Sequence, residues 1–185
     1  MGDRFGCLLL VDLSKQAYDV LEVGEEVIRA FLGGKGLGAY LLYKLLKPKA
    51  DPLGPENVLM FLTGPLTGTG YPTAGRVVVV AKSPLTGLFL DSYAGGWFGP
   101  DLRRLGYDGL IITGRAEEPT YLWLSEEGPE LRDASHIWGQ LTGRTVELVR
   151  TETDRRAHVA AIGPAGENLV RFAAIVFDRD EDPWR

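Results

Sequence analysis

Seven residues near the middle of the chain constrain the fold most. Residues 76 to 82 read Arg-Val-Val-Val-Val-Ala-Lys. Valine is stiff at its branched carbon and favours extended backbone. Successive side chains of a strand point to opposite faces of its sheet. A run that is apolar at every central position therefore predicts a strand buried on both faces.

Glycine-rich loops flank this strand. Leu62 to Gly99 reads LTGPLTGTGYPTAGRVVVVAKSPLTGLFLDSYAGGWFG, and Pro65-Leu66-Thr67-Gly68 recurs as Pro84-Leu85-Thr86-Gly87. Glycine serves where backbone takes positive φ or comes close to something. Successive N–H groups in such loops can cradle an anion. Arg76 follows the first loop directly. The pattern predicts loops that hold a phosphorylated cofactor, on a scaffold that positions them.

The remaining elements follow from periodicity and punctuation. Arg4–Leu13 and Gln16–Val23 read as paired strands, and Glu25–Phe31 as a short helix with an acidic start. Gly33-Gly34-Lys35-Gly36-Leu37-Gly38 precedes a helical run over residues 39–46 that Pro48 ends. Val58–Thr63, Leu88–Tyr93, Gly109–Gly114 and Thr120–Ser125 read as strands, and Trp97–Leu105 as a helix closed by Gly106. Thr142–Thr151 reads as a helix capped by Thr142. His158–Ile162 and Leu169–Phe177 read as strands around a tight turn at residues 163–168. Strands and helices do not alternate regularly, which disfavours a doubly wound parallel sheet and favours mixed α+β. A chain of 185 residues buries roughly 70% of the surface its unfolded form exposes. No proline- or serine-rich linker divides it, so one domain is expected over residues 1–185. Residues 178–185 (DRDEDPWR) read as a polar, frayed tail.

Several chemistries are disfavoured. A net charge of −5 argues against general nucleic-acid binding. Cys7 is the single cysteine, so the chain builds no internal disulfide and no iron–sulfur or zinc site of its own. The apolar run Cys7–Val11 is too short for a signal-peptide core or a membrane span, and a cytoplasmic location is expected. Gly33–Gly38 departs from phosphate-loop and dinucleotide patterns, because its lysine is followed by glycine and a helical segment precedes it. A helix–helix turn that needs small residues is the simpler reading, although a helix N-terminus there could face a ligand. His136, near Asp133 and Ser135, reads as a turn-stabilising residue, since no nucleophile-elbow motif accompanies it. His158 reads as a surface residue and Cys7 as a buried structural thiol without a local activator.

A series of collinear motifs then carries a resemblance. GPLTGTGYPTAGR (64–76), KSPLTG (82–87), AGGWFG (94–99), GYDGLIITGRAEEPTYLWL (106–124), DASHIWG (133–139) and IGPAGENLVRFAAI (162–175) are similar to the N-terminal domain of the tungsten-containing aldehyde ferredoxin oxidoreductases. The resemblance covers residues 4 to about 177 without large gaps. It implies two mixed β-sheets of about six strands each, related by a pseudo-twofold, with a few helices. It implies a base on which a tungsten (or molybdenum) bis-pterin cofactor sits, with Mg²⁺ at the phosphates. A partner polypeptide would carry the helical substrate domains and the [4Fe–4S] cluster. The implied reaction oxidises an aldehyde to a carboxylic acid and passes two electrons to ferredoxin.

Carried over by motif, Arg76 contacts the pterin phosphate, and Tyr93, Ala94 and Gly95 supply main-chain contacts to pterin and phosphate. The family commonly has Asn where this chain has Tyr93; a main-chain contact survives that change and a side-chain contact does not. The family continues after the last strand with an Arg- and Gly-rich segment that also grips the cofactor, where this chain reads DRDEDPWR. The expectation is a cofactor cradle that is inactive alone; the alternative is a stand-alone or degenerate binding module without catalytic activity.

Overall fold

The computed structural model describes residues 5–178. Six strands form its central sheet: β1 (Cys7–Asp12), β2 (Ala17–Glu22), β3 (Leu59–Leu62), β4 (Val77–Lys82), β5 (Phe89–Ala94) and β6 (Gly109–Thr113). Their order is β2-β1-β6-β3-β4-β5. Only β1 and β6 run parallel; every other neighbouring pair in this sheet is antiparallel. The expected mixed α+β architecture is present.

The valine run behaves as its composition predicts. Val78 and Val80 join Leu8, Leu37, Leu41, Met60 and Leu62 in one buried cluster. Val77 and Val79 join Leu9, Phe61, Leu102 and Leu110 in another, on the opposite face. Each fully buried valine contributes about 1.5–3 kcal/mol. The helix α2 (Gly34–Leu45) covers the first face; α3 (Phe98–Arg104) and the hairpin of β7 (Thr120–Ser125) with β8 (Gly128–Asp133) cover the second.

The recurring Pro-Leu-Thr-Gly is turn chemistry used twice. One copy follows β3 and the other follows β4, so the two turns lie at opposite ends of this antiparallel pair. Gly68 and Gly87 take φ of 76° and 73°, in the left-handed region that glycine enters at little cost. A hydroxyl closes each turn: Thr67 Oγ1 accepts from the Gly64 N–H at 3.1 Å, and Ser83 Oγ from the Thr86 N–H at 3.2 Å.

Helix α2 begins at Gly34, so the glycine cluster expected ahead of the helix lies within its first turns. Gly34 takes a positive φ of 51°, and close packing explains Gly36 and Gly38. A Cβ on Gly38 would stand 2.7 Å from Val80 Cγ2, and one on Gly36 would stand 2.7 Å from the carbonyl oxygen of Phe31, at the end of α1 (Glu25–Phe31).

Beyond β6 the chain builds smaller pieces. These are the β7–β8 hairpin, α4 (Thr142–Glu152), β9 (Ala160–Ala161), α5 (Pro164–Glu167) and β10 (Val176–Phe177), with β9 and β10 paired antiparallel. Among the described residues the second expected sheet is present as these two ladders of two strands. Residues 162–175 interrupt any longer ladder. Pro164 starts a one-turn helix where a tight turn was expected, Leu169 takes φ of 57°, and Ala173 folds back onto the Val170 carbonyl. Only the last two residues of the expected Leu169–Phe177 strand pair with a neighbour. Strand β8 was not expected, since Gly-Pro-Glu-Leu-Arg-Asp lacks alternation; cross-strand partners support it, with Arg132 stacked 5.5 Å over the Trp123 ring.

Two further expectations are corrected. Thr142 is the first residue of α4 rather than its cap, a place held by Leu141 without a side-chain hydrogen bond. Asp178 is tied down: its N–H donates to Val159 O at 2.9 Å, and its carboxylate pairs with Arg150 at 2.5 Å, 5% exposed. The rest of the expected tail, residues 179–185, lies outside the described residues.

Candidate functional site

At one end of the central sheet β3 stops, β4 starts and β5 stops. The antiparallel register pairs Val77 with Ala94 and Val78 with Tyr93, which sets Arg76 beside the end of β5. A cavity of about 450 Å³ opens there. Its walls come from the loop after β3, the start of β4, Tyr93 and the first residue of α2, Gly34. Arg76 and Tyr93 therefore meet at one cavity. Ala94 and Gly95 adjoin it without lining it. The Ala94 side chain packs with the cluster that holds Val77 and Val79.

Arg76 is exposed, and no carboxylate among the described residues pairs with its guanidinium. Its backbone is held closely. Thr67 Oγ1 donates to the Arg76 carbonyl at 3.4 Å, and a Cβ on Gly99 would stand 3.4 Å from the same oxygen. The neighbouring Gly75 passes so near Gly96 that a Cβ would stand 2.8 Å from its carbonyl. Fixed main chain with a free guanidinium is an arrangement that can accept an oxyanion.

Gly95 is glycine for neither of the usual reasons. Its φ lies outside the left-handed region, and no atom stands within 4 Å of where its Cβ would be. The fold accepts a side chain there; open space beside bare backbone is what a closely approaching ligand needs.

The second cation near the cavity is already paired. Lys35, in the first turn of α2, binds Asp91 at 3.0 Å. That carboxylate pushes the lysine amine above its ordinary pKa, and the Tyr93 phenol adds to the effect.

Beneath the loop lies a buried pair that sequence reading missed, Arg103 on α3 and Asp108 before β6. Their side chains are 12% and 3% exposed. Asp108 Oδ2 accepts from the Gly6 and Cys7 N–H groups at 2.5 and 2.8 Å. Arg103 Nε donates to the Thr67 carbonyl at 3.4 Å, and burial pushes its guanidinium below the ordinary arginine range. Thr63, also buried, donates from Oγ1 to the Asp108 carbonyl at 2.6 Å. The available signal was an aspartate set between a turn glycine and a buried strand in Gly106-Tyr107-Asp108-Gly109.

The other candidates lie apart from this cavity. His136 Nε2 meets Glu152 Oε1 of α4 at 2.6 Å on an exposed surface, so it ties its turn to that helix, while Ser135 Oγ donates to Asp133 Oδ1 at 2.6 Å within the turn. His158 is not a simple surface residue: it is half-buried and its Nδ1 pairs with Asp101 of α3. Cys7 is half-buried, and desolvation, with Glu22 nearby, pushes its thiol up, away from nucleophile behaviour. No group of three metal-ligating side chains is present among the described residues, and no described helix is long and apolar enough to cross a membrane.

A mixed six-stranded sheet flanked by helices, with a cavity at one end where Arg76 and Tyr93 meet, defines a domain of the α+β class. Residues 8–185 match the description "Aldehyde ferredoxin oxidoreductase, N-terminal domain", and the chain belongs to that family. It is 47% identical over 179 residues to the tungsten-containing aldehyde ferredoxin oxidoreductase of Thermococcus kodakarensis, covering 96% of this chain and 30% of that protein. It is 39% identical to the aliphatic sulfonate oxidoreductase, WOR-like subunit, of Pyrococcus furiosus, over 92% of this chain and 30% of that one. Among solved structures, the active site complex BamBC of benzoyl coenzyme A reductase superposes with a TM-score of 0.91 at 38% identity, over 94% of this chain and 27% of that chain. The chain thus spans under a third of the length of these relatives.

Proposed function

We propose that the cavity between the glycine loop after β3 and the end of β5 seats the phosphate and pterin end of a tungsten (or molybdenum) bis-pterin cofactor. One observation carries the reading: Arg76 stands at a glycine-walled cavity beside Tyr93 with no described carboxylate to neutralise it. The vacant surroundings of Gly95 fit a ligand that lies against backbone. The family membership supports the identity of that ligand.

In this reading the bound cofactor supplies a two-electron redox centre, and this chain's residues bind and orient it. The Arg76 guanidinium forks onto phosphate oxygens, with Thr67 and Gly99 holding the backbone from which it projects. Main-chain groups of Tyr93, Ala94 and Gly95, at and just past the end of β5, would hold the cofactor, and a carbonyl there would be available to Mg²⁺ at its phosphates. The Tyr93 side chain forms a wall in place of the amide common in the family. The whole enzyme oxidises an aldehyde to a carboxylic acid and reduces ferredoxin. The remainder of the enzyme covers the cradle and carries the [4Fe–4S] cluster and the substrate channel. Relatives named for aldehydes and for aliphatic sulfonates share this domain, which favours a common cradle with the substrate chosen elsewhere. The chain alone then has no turnover of its own, and a cytoplasmic setting suits the reaction.

The test is anaerobic purification after co-expression with the neighbouring reading frame, followed by measurement of tungsten, molybdenum and pterin per chain. Near-stoichiometric metal and pterin are expected. Arg76→Ala should lower retention about tenfold or more while the melting temperature holds, because hydrogen bonds to charged groups contribute about 1.5–3 kcal/mol and each 1.4 kcal/mol is tenfold. A folded, metal-free wild type, or unchanged retention in Arg76→Ala, overturns the reading.

A further inference from the structure

We propose that Arg103 and Asp108 form a positioning device for the anion-gripping loop, setting where Arg76 projects without touching the ligand. The proposal rests on the cradle reading above and deepens it. A continuous chain of contacts supports it. Asp108 is anchored by two main-chain donors at the entrance of β1, Gly6 and Cys7. Arg103 pairs with Asp108 and is covered by the Phe5 ring, 5.1 Å away. The same guanidinium reaches the Thr67 carbonyl through Nε at 3.4 Å. Thr67, itself 5% exposed, links the Gly64 N–H to the Arg76 carbonyl through one hydroxyl. The loop is closed above this point by the Gly68 N–H on Ala74 O at 3.3 Å. A Cβ on Gly68 would stand 3.4 Å from Arg103 Cβ, so the loop lies directly on the helix that carries the arginine.

Stability alone is a weak reason for such a pair. A buried ion pair is often no better than an apolar pair of equal volume, because both charges lose their water. What a guanidinium supplies that an apolar side chain cannot is a planar, multi-donor fork of defined geometry. Here one arm holds the carboxylate beneath the sheet end and another holds the loop. The remaining residues around the turn, Leu66 and residues 68–73, are exposed, so few other contacts fix its position. Ligand-gripping groups work through placement, and a small displacement of a positioning loop costs disproportionately in binding.

The experiment compares co-purified pterin and metal per chain, and loop hydrogen exchange, for the wild type, Arg76→Ala, Arg103→Lys and Thr67→Val. Arg103→Lys keeps the charge facing Asp108 and loses the donor to Thr67. Thr67→Val keeps the ion pair and loses the hydroxyl bridge. Both are expected to speed exchange at the Gly64 and Gly68 amides, to leave exchange in Val78–Val80 unchanged, and to lower pterin retention about tenfold, the low end of what losing a supporting partner costs. If Arg76→Ala lowers retention and neither supporting variant does, the positioning role is overturned and the cradle stands. If none of the three lowers retention, the cradle reading fails and takes the positioning role with it. Faster exchange throughout β4 in Arg103→Lys marks general destabilisation, and Thr67→Val then decides: normal retention in that variant overturns the role.

Discussion

An arginine with no carboxylate beside it keeps its whole capacity for a phosphate, and a glycine with room around it keeps its backbone open. Arg76 and Gly95 are these two residues, one at the start of β4 and the other just past the end of β5. Lys35, next in sequence to the cavity-lining Gly34, is paired with Asp91. Because nothing in the fold requires Gly95 to be glycine, Gly95→Ala should change stability by no more than about 0.5 kcal/mol, in the range of ordinary surface substitutions. The same change should lower pterin retention, since its methyl group occupies the space left beside the backbone. Thermal unfolding and pterin content of the purified variant check both halves; normal pterin content would remove Gly95 from the site. Arg76 was legible from its place after a glycine loop. Arg103 and Asp108 were not, because a buried ion pair is defined by two side chains meeting in space, and the sequence surroundings mark Asp108 alone, not its partner.

Glycines at the element scale have the opposite meaning. Gly38 lies on the buried face of α2, where a Cβ would stand 2.7 Å from Val80 Cγ2 and 3.1 Å from Leu62 Cδ1. Gly38→Ala improves helix propensity yet forces α2 away from β3 and β4. The expected net effect is a loss of about 1–3 kcal/mol, typical of overpacking, read as a lower denaturant midpoint. A neutral or stabilised Gly38→Ala would show that the helix can move off the sheet freely. Strand β4 was legible because an all-valine centre has one stable solution, burial on both faces. Strand β8 and the helical turn at α5 were not, since their conformations come from partners: β7 across the hairpin, and Gly163, whose carbonyl receives the Gly166 and Glu167 N–H groups.

The whole molecule presents its cavity at a surface that also exposes Leu66, Tyr71 and Tyr93, with Trp97 exposed at the start of α3. A cradle with apolar residues at its mouth is a surface that a covering polypeptide can bury. If a partner completes the enzyme, its presence should slow hydrogen exchange across residues 64–75 at least several-fold and shift the Trp97 fluorescence to shorter wavelength. Unchanged exchange in a stable complex would place the partner on another face and leave the cavity open. The two families of contacts differ in kind: the core clusters on either side of the sheet hold the scaffold, while single hydrogen bonds through Thr67 hold the loop.

Sequence by itself determined the central strand, the antiparallel pairing of β1 with β2, the turn glycines and the candidate anchors, because each depends on local conformational preference or on the burial of contiguous apolar residues. It also carried the family, through motifs spread in order along the chain. Tertiary structure alone decided that β1 and β6 lie side by side in parallel, that Gly34, Gly36 and Gly38 lie inside α2 rather than ahead of it, and that Arg76 and Tyr93 face one cavity. It alone joined Asp108, Arg103 and Thr67 into one support under the loop. The physical reason is the same throughout: preference and patterning act between neighbours in sequence, whereas a buried charge, a missing Cβ and an unpaired guanidinium acquire their meaning from what the folded chain brings, or leaves out, beside them.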